Sequence, residues 1–374
     1  MSLRRPARLA LVAALPLLAV VACDSEPRES RAGVVVDAGT TAASGLRQSI
    51  ESAAFRPPEA AAPDSGTTPG SATQTGAAAG SGGGVAEALP ADARADPAMV
   101  RAQVLLDRTR FSPGIVDGLG GENTRQAIAA FEEANDLPVD GQLDATVFQR
   151  LAAADGSPVL ADYTITAADA AGPFVGTVPA DIEAMARMET VGYATALEAM
   201  AEKFHMSEAL LAALNPGADF GRAGQTIVVA ATGPAELQGE VTRIVINKDE
   251  GSARAFDAAG VLLAFYPATI GSSETPTPSG THTVRAIAPR PNYTYDPSRV
   301  SYGEGKRRVV VPAGPNNPVG SVWIDLSRDT YGIHGTPEPA KIGKTVSSGC
   351  VRLTNWDAEQ LASGVKPGVV VEFV

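Results

Sequence analysis

Apolar residues follow two rhythms along this chain, and each predicts a different kind of element. From Asp96 to Leu151 the spacing is helical. Val100, Val104, Leu105 and Leu106 share one face, Ala127, Ile128 and Phe131 a second, and Val147, Phe148 and Leu151 a third. Turn residues separate the three helices: Pro113-Gly114, the loop Asp117-Gly118-Leu119-Gly120-Gly121, and Asp140-Gly141. Asn123, with Gln126 three residues on, reads as a capping box opening the second helix, and Asp144 reads as the cap of the third.

The helical rhythm returns at Leu197, Met200, Ala201 and Phe204, and again after Ser207 with Leu210, Leu211 and Leu214. A strand at 163–166 precedes these helices. Another at 226–229 follows Asn215-Pro216-Gly217 and Gly224-Gln225. After Glu240 the period drops to two: Ile244 and Ile246 alternate with Val245 and Asn247, with further strands at 253–256, 261–266 and 369–374. One helical window, 355–363, interrupts this last region, which reads as a mainly-β domain of roughly 135 residues, an ordinary domain size.

The first 90 residues obey neither rhythm. Arg4, Arg5 and Arg8 precede an apolar run from Leu9 to Ala22, too short to span a membrane comfortably and of signal-peptide length. From Asp24 to about Pro90 the chain is mostly Ala, Gly, Ser, Thr and Pro, which cannot bury enough apolar surface to offset ordering entropy. A flexible linker is expected there, spanning on the order of 45 Å as a coil. The expected organisation is a signal segment at 1–22, a disordered linker at 23–94, and folded units at 95–154, 155–235 and 238–374.

Composition narrows the function classes. The net charge of −12 argues against a duplex nucleic-acid partner, and acids and bases balance after residue 236, so the acidic excess lies upstream and reads as solubility. The chain has two cysteines, Cys23 and Cys350, and three histidines, His205, His282 and His334. Such scattered residues make no metal-ligand set, and no phosphate-binding loop or G-x-S-x-G motif occurs, so no cofactor is expected. His205 and His282 read as packing or surface residues.

His334 and Cys350 differ from the rest because they pair. Ile333-His334-Gly335-Thr336 is followed by Ser347-Ser348-Gly349-Cys350-Val351-Arg352-Leu353, which puts Cys350 sixteen positions after His334. An imidazole beside a thiol can take its proton and return one to a leaving amine. With no evident carboxylate beside His334, the carbonyl of Gly335 is the expected acceptor of its second N–H. The turn at Ser348 and Gly349 is expected to present backbone N–H groups to an oxyanion. A buried structural Cys350, and an Arg352 that serves as an internal ion-pair partner, are the alternatives.

Several segments resemble known families. Leu18-Ala19-Val20-Val21-Ala22-Cys23 resembles a bacterial lipobox, which implies cleavage before Cys23 and acylation of that residue, hence an exported, periplasmic, membrane-anchored lipoprotein. Phe111, Pro113, Gly114, Asp117, Gly118, Thr124, Phe131, Leu137, Asp140, Gly141 and Leu151 resemble the three-helix peptidoglycan-binding domain. The 155–235 unit is similar to a LysM module, with an insertion between first strand and helices that the family does not usually show. Residues 240–374 resemble the L,D-transpeptidase catalytic domain, the YkuD fold. The His334 and Cys350 motifs, Thr275-Pro276-Thr277-Pro278-Ser279-Gly280-Thr281, Asn292-Tyr293, Tyr295-Asp296-Pro297, 314–320 and Asn355-Trp356-Asp357 carry that likeness.

The expected fold is therefore multidomain: a mainly-β YkuD-type catalytic domain preceded by a three-helix peptidoglycan-binding domain and a small α+β LysM-like module. The resemblance implies Cys350 as nucleophile, His334 as general base and acid, and Arg352 as a residue ordering the substrate side of the site. It implies peptidoglycan tetrapeptide stems as substrate, with 3→3 cross-links or attached acceptors as product. Many members of the family have His where this chain has Ser348, so any contribution from a second imidazole is absent. A hydrolase of the same stems and a non-catalytic wall-binding lipoprotein remain the alternatives.

Overall fold

The structure is a computed structural model that describes residues 38–55, 95–271, 276–299 and 305–374. The expected signal segment, the lipidation candidate Cys23 and most of the expected linker lie outside the described residues.

One part of the expected linker is not a linker. Ala38–Glu51 forms helix α1, whose Leu46 and Ile50 join the core of the following helices, Ile50 fully buried. Their i, i+4 spacing puts both on one face. Glu51 then caps a strand end by accepting the N–H groups of Val159 and Leu160 (3.2 and 2.7 Å). The surrounding Ala-Gly-Thr-Ser composition hid this one apolar stripe.

The three expected helices follow as α2 (Pro97–Arg108), α3 (Glu122–Ala134) and α4 (Ala145–Ala154). Asp144 caps α4 by accepting from the Val147 N–H at 2.8 Å, as its position predicts. The capping box at Asn123 is absent: α3 begins at Glu122 after Gly121, without a side-chain cap. Asn123 and Gln126 donate instead to the carbonyls of Ile342 and Glu250 (2.9 and 2.6 Å), in the C-terminal domain. The residues that resemble a cap are interdomain pegs.

Strand β1 (Leu160–Thr164), short helices α5 (Ala167–Ala171) and α6 (Ile182–Met185), helices α7 (Ala196–Lys203) and α8 (Glu208–Leu214), and strand β2 (Thr226–Ala230) form the second unit. The strands pair antiparallel, Leu160 opposite Ala230, and Ser207 caps α8 as expected. Thr166 lies outside the strand because its hydroxyl and Asp169 form a capping box that opens α5.

The C-terminal domain contains strands β3 (Arg243–Asn247), β4 (Ser252–Phe256), β5 (Leu262–Pro267), β6 (Gly280–Pro289), β7 (Tyr293–Tyr295), β8 (Val309–Val311), β9 (Val322–Leu326), β10 (Gly332–His334), β11 (Val351–Arg352) and β12 (Val370–Phe373), with helix α9 (Asn355–Gly364). Eight of them form one sheet in the order β11-β10-β9-β6-β12-β3-β4-β5, while β7 and β8 form a separate hairpin. Ile244, Ile246, Ala253, Ala255, Ile324, Ile333 and Val371 face the core, with α9 packed on it through Ala358 and Leu361.

The edge strand β5 does not end in solvent. Ser112 N–H donates to the Phe265 carbonyl and Phe265 N–H to the Arg110 carbonyl, both at 2.9 Å, so a segment of the three-helix unit completes the edge. The Phe265 side chain crosses into the helical core, where it joins Phe111 and Phe131, themselves edge-to-face at 5.6 Å. Phe265→Ala is expected to destabilise the chain by about 3–5 kcal/mol and to split one urea transition into two. Fluorescence of Trp323 and Trp356 against far-UV dichroism measures this, and a single unshifted transition would disprove it.

Candidate active site

Period-two geometry assembles the site. His334 on β10 lies opposite Arg352 on the parallel β11 and opposite Trp323 on the antiparallel β9. The alternating neighbours Ile333, Val351 and Ile324 are buried in the core, so His334, Arg352 and Trp323 share the other face. Cys350, two residues before Arg352, is on that face too. These residues line a cavity of about 770 Å³ whose far side is built by Asn292, Tyr293, Thr294, Asp296, Arg299 and Arg308 around the β7–β8 hairpin, with Pro318 and Val319.

His334 is buried, and its Nδ1 lies 2.6 Å from the Gly335 carbonyl. A carbonyl only accepts, so Nδ1 carries the proton and Nε2 is the basic nitrogen of the neutral ring. This is the acceptor expected from sequence. The Trp323 indole stacks on the imidazole (5.4 Å, 21° between planes), and a Cβ on Gly332 would strike that indole at 2.5 Å. Burial pulls the His334 pKa down to about 3, with the Arg352 charge adding to the effect and the carbonyls of Gly335 and Val319 opposing it.

Cys350 is partly accessible, and its thiol donates to the Thr330 carbonyl at 3.7 Å. Burial pushes its pKa up, against the Gly332 N–H and the Arg352 charge, which favour the thiolate. The two reactive groups therefore face one cavity as a neutral thiol and a neutral imidazole, and no hydrogen bond joins them among the described residues.

The turn before the nucleophile departs from expectation at one atom. Gly349 takes φ +108°, and a Cβ there would meet the Tyr331 ring at 2.8 Å, so glycine is required. Its N–H, however, donates to Ser347 Oγ at 3.1 Å, while that hydroxyl donates to the Cys350 carbonyl at 2.5 Å. Gly349 shapes the turn and is not an oxyanion donor. No described group accepts from the N–H of Ser348 or Cys350.

Arg352 has no ion-pair partner among the described residues, and its Nε is buried without a hydrogen bond. His282 packs edge-to-face on Phe373 at 5.6 Å, far along β6. His205 stacks on Trp356 (4.9 Å, 8°) and meets Asp107 Oδ2 at 2.8 Å, as the packing reading expected. Trp323, Thr330 and Tyr331 were missed from sequence. The alternation of Val322–Leu326 carried the only signal, and reading it required the register against His334.

Comparison with known proteins agrees with this geometry. Residues 241–372 match the family model described as "L,D-transpeptidase catalytic domain", and residues 89–151 match "Putative peptidoglycan binding domain". The chain is 32% identical over 180 residues to "Putative L,D-transpeptidase YkuD" of Bacillus licheniformis, covering 47% of this chain and 92% of the relative. The protein of the same name in Bacillus subtilis is 31% identical over 177 residues, covering 47% and 91%. "Probable L,D-transpeptidase YcfS" of Escherichia coli is 33% identical over 189 residues, covering 48% and 58%.

A neutral resting thiol has a kinetic signature. With the Cys350 pKa raised, the thiolate fraction at neutral pH lies below that of a free cysteine, whose pKa is about 8.5. Iodoacetamide labelling of the Cys350 peptide, followed by mass spectrometry, is expected to accelerate steadily from about pH 6 to 9. A plateau across that range would reveal a thiolate–imidazolium pair and refute the neutral assignment.

Proposed function

This chain belongs to the L,D-transpeptidase family, and on that premise we propose that it transfers peptidoglycan tetrapeptide stems through a thioester on Cys350. One observation carries the reading: a thiol, an imidazole with its basic nitrogen unprotonated, and a guanidinium with no ion-pair partner among the described residues line the same cavity.

Cys350 Sγ attacks the carbonyl preceding the terminal D-Ala, and His334 Nε2 takes the thiol proton. The N–H groups of Ser348 and Cys350 receive the negative charge on oxygen. The C–N bond then breaks, and the D-Ala amine leaves with the proton from His334. An acceptor amine, the side chain of a diaminopimelate residue on a second stem, attacks the thioester. His334 removes its proton and returns it to sulfur. Arg352 orders an anionic group of the stem. Water in place of the amine would give a carboxypeptidase by the same steps.

The flanking unit at 95–154 holds the enzyme on peptidoglycan, and we read the unit at 155–235 as LysM-like, with α7 and α8 between its paired strands and α5 and α6 in the insertion. We further read Cys23 as a lipidated residue that anchors the exported chain to a membrane in the periplasm.

Incubation with disaccharide-tetrapeptide, read by mass spectrometry, is expected to yield a cross-linked dimer, and Cys350→Ala to reduce it about a thousandfold or more. A shortened monomer alone would identify a hydrolase, and unchanged substrate a non-catalytic wall-binding protein. Cys23→Ala is expected to move the expressed chain from the detergent phase to the aqueous phase on Triton X-114 partition. Retention in the detergent phase would refute the anchor.

A further inference from the structure

The insertion that sets the 155–235 unit apart from a LysM module, together with helix α7, packs against the catalytic domain. Val191 N–H donates to the Ala313 carbonyl (3.3 Å), and Asn316 N–H to the Val191 carbonyl (3.0 Å). The Asn316 amide reaches Glu198 Oε1 at 2.7 Å. Gly314 lies so close that a Cβ there would fall 2.1 Å from the Val191 carbonyl oxygen. This unit therefore supports the loop 312–321, two of whose residues, Pro318 and Val319, line the active-site cavity.

A second limb of the contact runs to His334 itself. Glu202 of α7 is half-buried, and its Oε1 accepts from the Tyr193 hydroxyl (2.8 Å) and from Asn355 Nδ2 (3.0 Å) at the start of α9. Asn355 Nδ2 also donates to the Pro315 carbonyl (3.1 Å), and its Oδ1 accepts from the Ser321 N–H (3.0 Å). The Asn355 amide is thus fully bonded on both ends. It fills the space left by two glycines: a Cβ on Gly320 or on Gly335 would lie 2.1 Å from Asn355 Oδ1. Gly335 supplies the carbonyl that holds His334 Nδ1.

We propose that Asn355, oriented by Glu202 of the accessory unit, is a positioning residue for His334, seating Gly335 so that its carbonyl fixes the imidazole tautomer. This rests on the reading of His334 as general base. Catalysis then depends on a residue more than a hundred positions upstream of the catalytic pair, in a unit outside the catalytic domain. Asn355 needs an accepting oxygen at this position, and the carboxyl that supplies it is raised to about 7 by burial, with Glu359 and Glu198 adding and the donors Asn355 and Tyr193 opposing. A glutamine at 202 keeps that oxygen, and an alanine removes it.

The test uses the full chain and the disaccharide-tetrapeptide reaction. Glu202→Ala and Asn355→Ala are expected to lower kcat about 10- to 100-fold with KM within about twofold, the scale of a displaced catalytic group. Glu202→Gln is expected to restore kcat to within about threefold of the parent. Iodoacetamide labelling of Cys350 at alkaline pH, where the thiolate needs no base, is expected to be unchanged within about twofold, which shows the thiol pocket intact even if Asn355→Ala folds poorly and only the Glu202 variants are scored. A kcat for Glu202→Ala within about twofold of the parent, or a loss that Gln does not restore, overturns the proposal. His334→Ala separates the two readings: if it stays active the base assignment fails, and if it is dead while Glu202→Ala is not, only the positioning role fails.

Discussion

The hydrogen bond from His334 Nδ1 to the Gly335 carbonyl is the constraint on which the surrounding structure converges. An imidazole buried without a carboxylate partner has only the backbone to select its tautomer, and the next residue's carbonyl can do so only if the chain turns sharply after β10. That turn brings Gly335 against Asn355 with no room for a side chain. Trp323 closes the ring's face through strand register. Tautomer, ring plane and backbone turn are thereby set by three different elements, none of which is a charged partner.

Modular architecture usually implies separable units, yet here the modules share hydrophobic and polar interiors. Phe265 of the sheet lies in the helical core, and Ser112 of the helical unit donates to Asp357 of α9 at 3.0 Å. Asp107, Glu202, His205 and Asp357 meet at this junction, lining one cavity with Arg110 and Trp356. Burial disfavours charge on His205, but Asp107, Asp357 and Glu202 together outweigh it and raise its pKa, while burial raises Asp357 to about 7. Acids set around an imidazole favour its protonated form, and a buried interface tolerates such a compensated cluster where a lone charge would be expelled.

What the sequence disclosed follows from the range of each interaction. The three helices, the Asp144 and Ser207 caps and the β-strand alternation depend on residues a few positions apart, and all were legible. The Gly335 carbonyl was legible because it is adjacent to His334. Asn123 and Gln126 misled because a capping box and a pair of interdomain donors use the same side chains. Helix α1 was hidden because its stripe needs only Leu46 and Ile50, and their burial is decided by α2 and α8. Glu202 gave no local signal at all: a glutamate on an amphipathic helix reads as solvent-facing until the fold places Asn355 against it.

The electrostatics of the site bear on what Arg352 can do. Its charge lowers the pKa of both His334 and Cys350, favouring thiolate and disfavouring imidazolium. It cannot stabilise a resting ion pair, because it opposes one half of that pair. Negative charge arriving from outside is different: a carboxylate on the substrate, or the oxyanion formed when sulfur attacks, is favoured by the same guanidinium without penalty. With no ion-pair partner among the described residues, Arg352 is a cation that an anion arriving with a substrate would meet. On the proposed mechanism, neutral reacting groups and this cation are parts of one arrangement, in which charge separation begins only once substrate is in place.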